Sequence, residues 1–235
     1  MDTIKRDPSH KAWERQRHWK RQTMPTYQEV VHIARSFPTT QESALFAITY
    51  LTGGRISEIM PKKALYKRVY KKHPETGKIL KNKQGSPIIA STDQVEHGYS
   101  GIKKRDLYED TIGGRDGREV HVLVISIENR KNKEDKRKTC PCPIEKESEL
   151  MNIVREYLSM VAFEDVLFPF SEGKARRIIN KVGFNPHYLR DIRATHLVWN
   201  YQFTEYALIQ FMGWTDGRPA KRYVRKDWRK IGMHY

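Results

Sequence analysis

The chain has 235 residues and a mass of 27.8 kDa, with 44 Lys and Arg against 28 Asp and Glu, a net charge of +16 and an isoelectric point near 9.8. Charge on this scale repels itself and calls for a polyanionic partner, while 38% hydrophobic residues, aromatics among them, exclude wholesale disorder. A mean hydropathy of −0.76, with no apolar run near the roughly 18 residues of a membrane span, excludes an integral membrane helix.

Residues 1–22 carry seven basic and three acidic side chains around Trp13 and Trp19 and have no apolar core. They read as a basic arm rather than a secretory signal. One mixed domain is expected over 23–235. Thr26 and Glu29 form a capping box before Val30, Val31, Ile33 and Ala34, which predicts a helix to Ser36. Thr39 and Glu42 form another, before a helical stripe of Leu45, Ile48 and Leu51 that stops at Gly53-Gly54. Arg55 leads the short run RISEIM.

Residues 62–100 read as a basic insertion. Its KRVYKKHPETGKIL predicts a hairpin that turns at Pro74 to Gly77. After GIKKRDL and a second turn at IGGRDGRE, VHVLVISIE is the strongest strand signal in the chain. TCPCPI reads as its return strand, placed at a sheet edge by Pro141 and Pro143. Helices are then expected over 149–160, 174–182, 188–199, after Thr204, and from Pro219. Cys140 and Cys142 make neither a disulfide framework nor a zinc pattern, so a reducing cytoplasm and no bound metal are expected.

The basic charge is clustered. Arg130 to Lys138 is one run, including Arg130, Lys136, Arg137 and Lys138; Arg218 to Lys230 is another, including Arg218, Lys221 and Arg222. Clustered arginines and lysines beside aromatics suit nucleic acid better than a membrane surface, and these seven side chains are the candidate DNA contacts.

Four separated motifs share one pattern. ITYLTGGRISEI resembles the first arginine box of the tyrosine recombinases, the phage-integrase family. PHYLRDIRATHL resembles their His-x-x-Arg box, with His187 and Arg190, and FMGW resembles their Leu-Gly-His/Trp box, with Trp214 in the variable place. Tyr223 follows Trp214 by nine residues, the family's usual interval to its nucleophile. The stretch 122–144 looks like the family's lysine-bearing β-hairpin. No single box is specific; their joint order and spacing over 23–235 carry the resemblance.

The resemblance implies a mixed α/β catalytic-domain fold, mainly helical with a small antiparallel sheet. It implies a site-specific recombinase or integrase that cuts and rejoins double-stranded DNA through a 3′-phosphotyrosyl intermediate. Neither metal, nucleotide nor other cofactor is needed, because the covalent ester conserves the bond energy. Arg55 and Arg190 would hold the non-bridging phosphate oxygens. Lys131, or else Lys133, would protonate the leaving 5′ oxygen. His187 would take the tyrosine proton or hold an oxygen, Trp214 would pack the site and donate one hydrogen bond, and Glu58 would orient an arginine or the histidine. A tetramer on DNA is implied, with a free monomer compatible, in the cytoplasm or nucleoid of a bacterial or archaeal host of a mobile element, virus or plasmid.

The sequence also departs from the pattern. The short arm stands where members carry a DNA-clamping helical domain, and Asp191 follows Arg190 where many have His. The twelve residues after Tyr223 leave little for a helix exchanged between subunits. The rival readings are a type IB topoisomerase-like relaxing enzyme and a catalytically inactive DNA-binding regulator.

Overall fold

The computed structural model describes residues 24–96, 98–114, 117–129 and 137–224, with backbone alone at 95, 96, 222 and 224. Helix α1 (Tyr27–Arg35) starts where expected: Thr26 Oγ1 accepts from Glu29 N, and the Glu29 carboxylate accepts from Thr26 N at 2.7 Å. Helix α2 (Thr40–Thr52) has only the threonine half of its box, Thr39 Oγ1 accepting from Glu42 N. From Ser43 to Thr52 every residue of α2 is buried, so it is the central rod of the fold rather than an amphipathic surface helix. Gly53 ends it in the left-handed conformation, φ +51°. The short α3 (Ile56–Ile59) follows.

The insertion forms a two-stranded antiparallel ribbon, β1 (Leu65–Tyr70) with β2 (Ile89–Glu96). Its base is closed by reciprocal bonds between Lys62 and Tyr99, at 2.7 and 2.8 Å. This corrects the expected hairpin. The turn at 74–77 exists, but it joins only the isolated pair Lys72 and Ile79. A second reversal follows, where Asn82 Oδ1 accepts from Gln84 N and Ser86 N, so the chain returns to Tyr70 only at Ile89. Nearly all of β1 is exposed.

A three-stranded antiparallel sheet comes next, in the order β3 (Leu107–Gly113), β4 (Glu119–Glu128), β5 (Arg137–Pro143). The strongest strand signal is the central strand, and the proline-bearing return strand lies at the edge, as expected. Helices α4 (Ser148–Ser159), α5 (Glu172–Lys181), α6 (Pro186–Trp199), α7 (Glu205–Met212) and α8 (Arg218–Val224) complete the chain. Ser171, Asn185 and Thr204 cap α5, α6 and α7.

α2 packs on α1, α4, α5, α6 and β5. One face of β4 and β5 supplies Ile125, Ile127, Cys140 and Cys142 to that core. Arg193 of α6 is also inside it, with no exposed surface, its guanidinium held by both oxygens of the equally buried Glu147 and lying 5.1 Å from the Tyr50 ring centroid. His196, one turn on, meets Tyr50 Oη through Nδ1 at 2.7 Å and Pro25 O through Nε2 at 2.8 Å. It is a structural histidine, holding α6 to α2 and to the chain before α1. Among the described residues, no helix is long and apolar enough to cross a membrane.

Candidate active site

Two helices end at the same place. α2 stops at Thr52 with Gly53 as its cap, and α7 stops at Met212 with Gly213 as its cap, φ +62°. A helix C-terminus leaves carbonyls without partners and carries partial negative charge. Cations from two other elements take those carbonyls. Arg190 of α6 donates Nη1 to Gly53 O and Nη2 to Met212 O, the latter at 2.8 Å. Lys138 of β5 points Nζ at Thr52 O (3.3 Å) and Met212 O (3.5 Å). The glycine cap lets the surrounding chain come this close. A Cβ on Gly213 would stand 3.0 Å from both Asn129 Nδ2 and Lys138 Cδ.

Glu58 joins this pair to Arg55. Its carboxylate, 1% exposed, accepts from Arg55 N at 2.8 Å and pairs with Arg55 Nη1 at 2.7 Å. It lies 3.8 Å from Lys138 Nζ and 4.0 Å from Arg190 Nη1. Three cations thus surround one carboxylate, and the cluster keeps an excess of positive charge. Arg55 is the partly open member, a quarter of its side chain exposed, while Lys138 and Arg190 are buried. Burial pulls the Lys138 ammonium below its ordinary pKa, against the help of Cys140 and Glu58. Burial likewise draws Arg190 down to about 10, with Glu58 opposing and Arg55 adding, so it stays charged at neutral pH.

Next to the cluster, Arg190 Cζ lies 5.6 Å from the Trp214 ring centroid, and the Trp214 and Tyr223 rings stack at 5.8 Å and 10°. The Tyr223 hydroxyl donates to Asp191 Oδ1. His187 precedes Arg190 by three residues on α6, hence on the same face, and is exposed. So Arg55, Glu58, Arg190, Trp214 and Tyr223 are linked by contacts into one candidate site, while His187 stands exposed one turn before Arg190.

The remaining candidates divide. Arg130, Lys131, Lys133 and Lys136 lie outside the described residues, as do the 1–22 arm and the Arg222 side chain. Arg218 and Lys221 are exposed, Arg218 paired with Asp216 at 2.8 Å. Arg137 is half exposed and paired with Asp106 at 2.7 Å. Lys138 is the correction: expected among surface DNA contacts, it is buried at the centre of the site. The reason is strand parity. Lys138, Cys140 and Cys142 share one face of β5, and that face is the core. Alternation of Lys, Cys and Cys with Thr139 and Pro141 is the signal in the sequence that could have found it. The cysteines are free thiols near the Leu51 and Thr52 carbonyls, and burial raises both pKa values. Asp191 as a partner of Tyr223 also escapes sequence reasoning, since contact between α6 and α8 is not written in the local sequence.

No protein-family model matches the sequence, and no curated protein matches it. Solved structures do match in shape. XerH site-specific recombinase, bound to palindromic difH substrate in a post-cleavage complex, superposes with a TM-score of 0.52 at 15% identity, over 88% of this chain and 50% of that one. The XerH pre-cleavage complex with difH gives 0.51 at 15% identity, over 88% and 51%. XerA recombinase gives 0.48 at 18%, over 90% and 65%. The chain spans about half the length of the two XerH chains. The mixed helical and antiparallel architecture described above is thus a fold shared with about half of each XerH chain.

Proposed function

We propose that this protein is a tyrosine-type site-specific DNA recombinase, cutting and rejoining DNA through a 3′-phosphotyrosyl intermediate. One observation carries the reading. Residues from four separated motifs converge on one cationic cluster, beside a tyrosine whose ring and hydroxyl are both held. Folding gains little from gathering three cations about one carboxylate, whereas an incoming phosphodiester would balance the excess charge.

In this reading Arg55, the open guanidinium, meets a non-bridging oxygen first, and Arg190 takes the second. Tyr223 attacks phosphorus, the bond to the 5′ oxygen breaks, and a hairpin lysine, Lys131 or Lys133, protonates the leaving oxygen. Lys138 anchors that hairpin to the site by gripping both helix ends. The 5′-hydroxyl of a partner strand reverses the step. The partner is double-stranded DNA, held by the arm, the last-helix cations and the basic ribbon, and the working assembly is a tetramer on two sites. Mobile-element DNA processing in a prokaryotic host cytoplasm is the setting this implies.

The test is incubation with a nicked duplex carrying a candidate attachment sequence, without metal, followed by a denaturing gel. Wild type should give a covalent protein–DNA adduct, and Tyr223→Phe none. An adduct that survives Tyr223→Phe would displace the nucleophile; no adduct across many sites would leave a DNA-binding regulator as the better reading. Relaxation of a supercoiled plasmid without strand exchange would point to topoisomerase-like action.

A further inference from the structure

Tyrosine is a poor nucleophile while it keeps its proton, because a phenol ionises only near pH 10. Something in the site must receive that proton, and a base has to stand within hydrogen-bond reach of it. In this chain the Tyr223 hydroxyl donates to Asp191 Oδ1. Resting on the recombinase reading, we infer that Asp191 is the catalytic base that receives the Tyr223 proton.

The placement supports more than contact. Asp191 is the residue after Arg190, so one turn of α6 presents both the phosphate-holding guanidinium and the proton acceptor. The Trp214 ring fixes the plane of the phenol. Asp191 is half-buried, and its backbone carbonyl is tied by Thr195 Oγ1 at 2.9 Å. Among the described residues, Arg190 is coupled to Tyr223 and Tyr188 to Asp191. His187, exposed and one turn earlier, is then left to a phosphate oxygen.

The step balances. Tyr223 Oη bonds to phosphorus as its proton passes to Asp191. The P–O5′ bond breaks, its electron pair stays on the 5′ oxygen, and the hairpin lysine protonates that oxygen. On rejoining, the 5′-hydroxyl attacks and gives its proton to the lysine. The tyrosine oxygen leaves and recovers its proton from Asp191.

The experiment is the single-turnover rate of adduct formation on the nicked duplex, from pH 5.5 to 10, for wild type, Asp191→Asn, Asp191→Glu and His187→Gln. Asparagine keeps an acceptor oxygen but cannot take the proton, so a merely positioning aspartate would survive the change. Asp191→Asn should melt like wild type and react about 100-fold slower at pH 7. Its rate should climb about tenfold per pH unit toward the phenol pKa of about 10, a climb that wild type should not show. Asp191→Glu should recover part of the rate. An Asp191→Asn rate within about threefold of an active wild type, with the same profile, overturns the inference alone, as does the steep climb appearing in His187→Gln instead. A wild type with no adduct at any pH overturns the recombinase reading, and this inference with it.

Discussion

Glu58 has one carboxylate to divide among Arg55, Lys138 and Arg190. It is legible from the sequence because it sits three residues after Arg55, at the N-terminus of a helical turn. Lys138 is easily misread: a lysine in a run of basic residues looks like solvated surface, and only its alternation with Cys140 and Cys142 along β5 turns it inward. The same holds for Arg193, which local pattern gives no reason to place beside Glu147 in the core. His196 shows how a buried polar residue sets pH behaviour. Desolvation lowers its pKa from 6.5 to about 4, with the neighbouring Arg193 adding to the effect and the Pro25 carbonyl opposing it. The unfolded chain therefore binds more protons than the native one between those values, and stability falls as pH drops from about 6.5 toward 4. Acidification through that window should remove about 3 kcal/mol by this linkage. Urea unfolding of wild type and His196→Gln at pH 7 and pH 4.5 checks this, the variant losing less on acidification.

Helices and strands are mostly readable because their ends carry local chemistry. Thr26, Thr39, Ser171, Asn185 and Thr204 each accept a backbone N–H at a helix start, and Gly53 and Gly213 close two ends. The ribbon defeats such reading because its pairing skips a segment that reverses twice on its own, and β2 lacks a strong apolar alternation. Between Leu65 and Glu96, which pair across its base, lie seven basic and two acidic side chains. Most of its surface is exposed, so its removal should cost the core little. Replacing 66–95 with a short Gly-Ser linker should leave the melting temperature within about 2 °C. It should weaken DNA binding by at least about tenfold and flatten the salt dependence, by about 0.9 in log–log slope for each phosphate no longer neutralised. Fluorescence anisotropy over a salt series measures both, and an unchanged slope would remove the ribbon from the interface.

The excess of +16 that opens the sequence is therefore not one property of the whole molecule. Part of it is held inside, where Lys138 and Arg190 tie two helix ends together, and part is displayed on the ribbon and on α8. Substitutions at Arg190 should consequently affect folding as well as the proposed chemistry, and each needs a melting curve beside its rate. The stack of Tyr223 on Trp214 has a different consequence, for how subunits share work. The tyrosine is docked against Arg190, Asp191 and Trp214 of its own chain. On the proposed recombinase reading, each subunit would use its own tyrosine, and two differently crippled proteins would not lend each other parts. Mixing Tyr223→Phe with Arg190→Ala should yield no adduct at any ratio, whereas a tyrosine donated between neighbours would restore cleavage in the mixture.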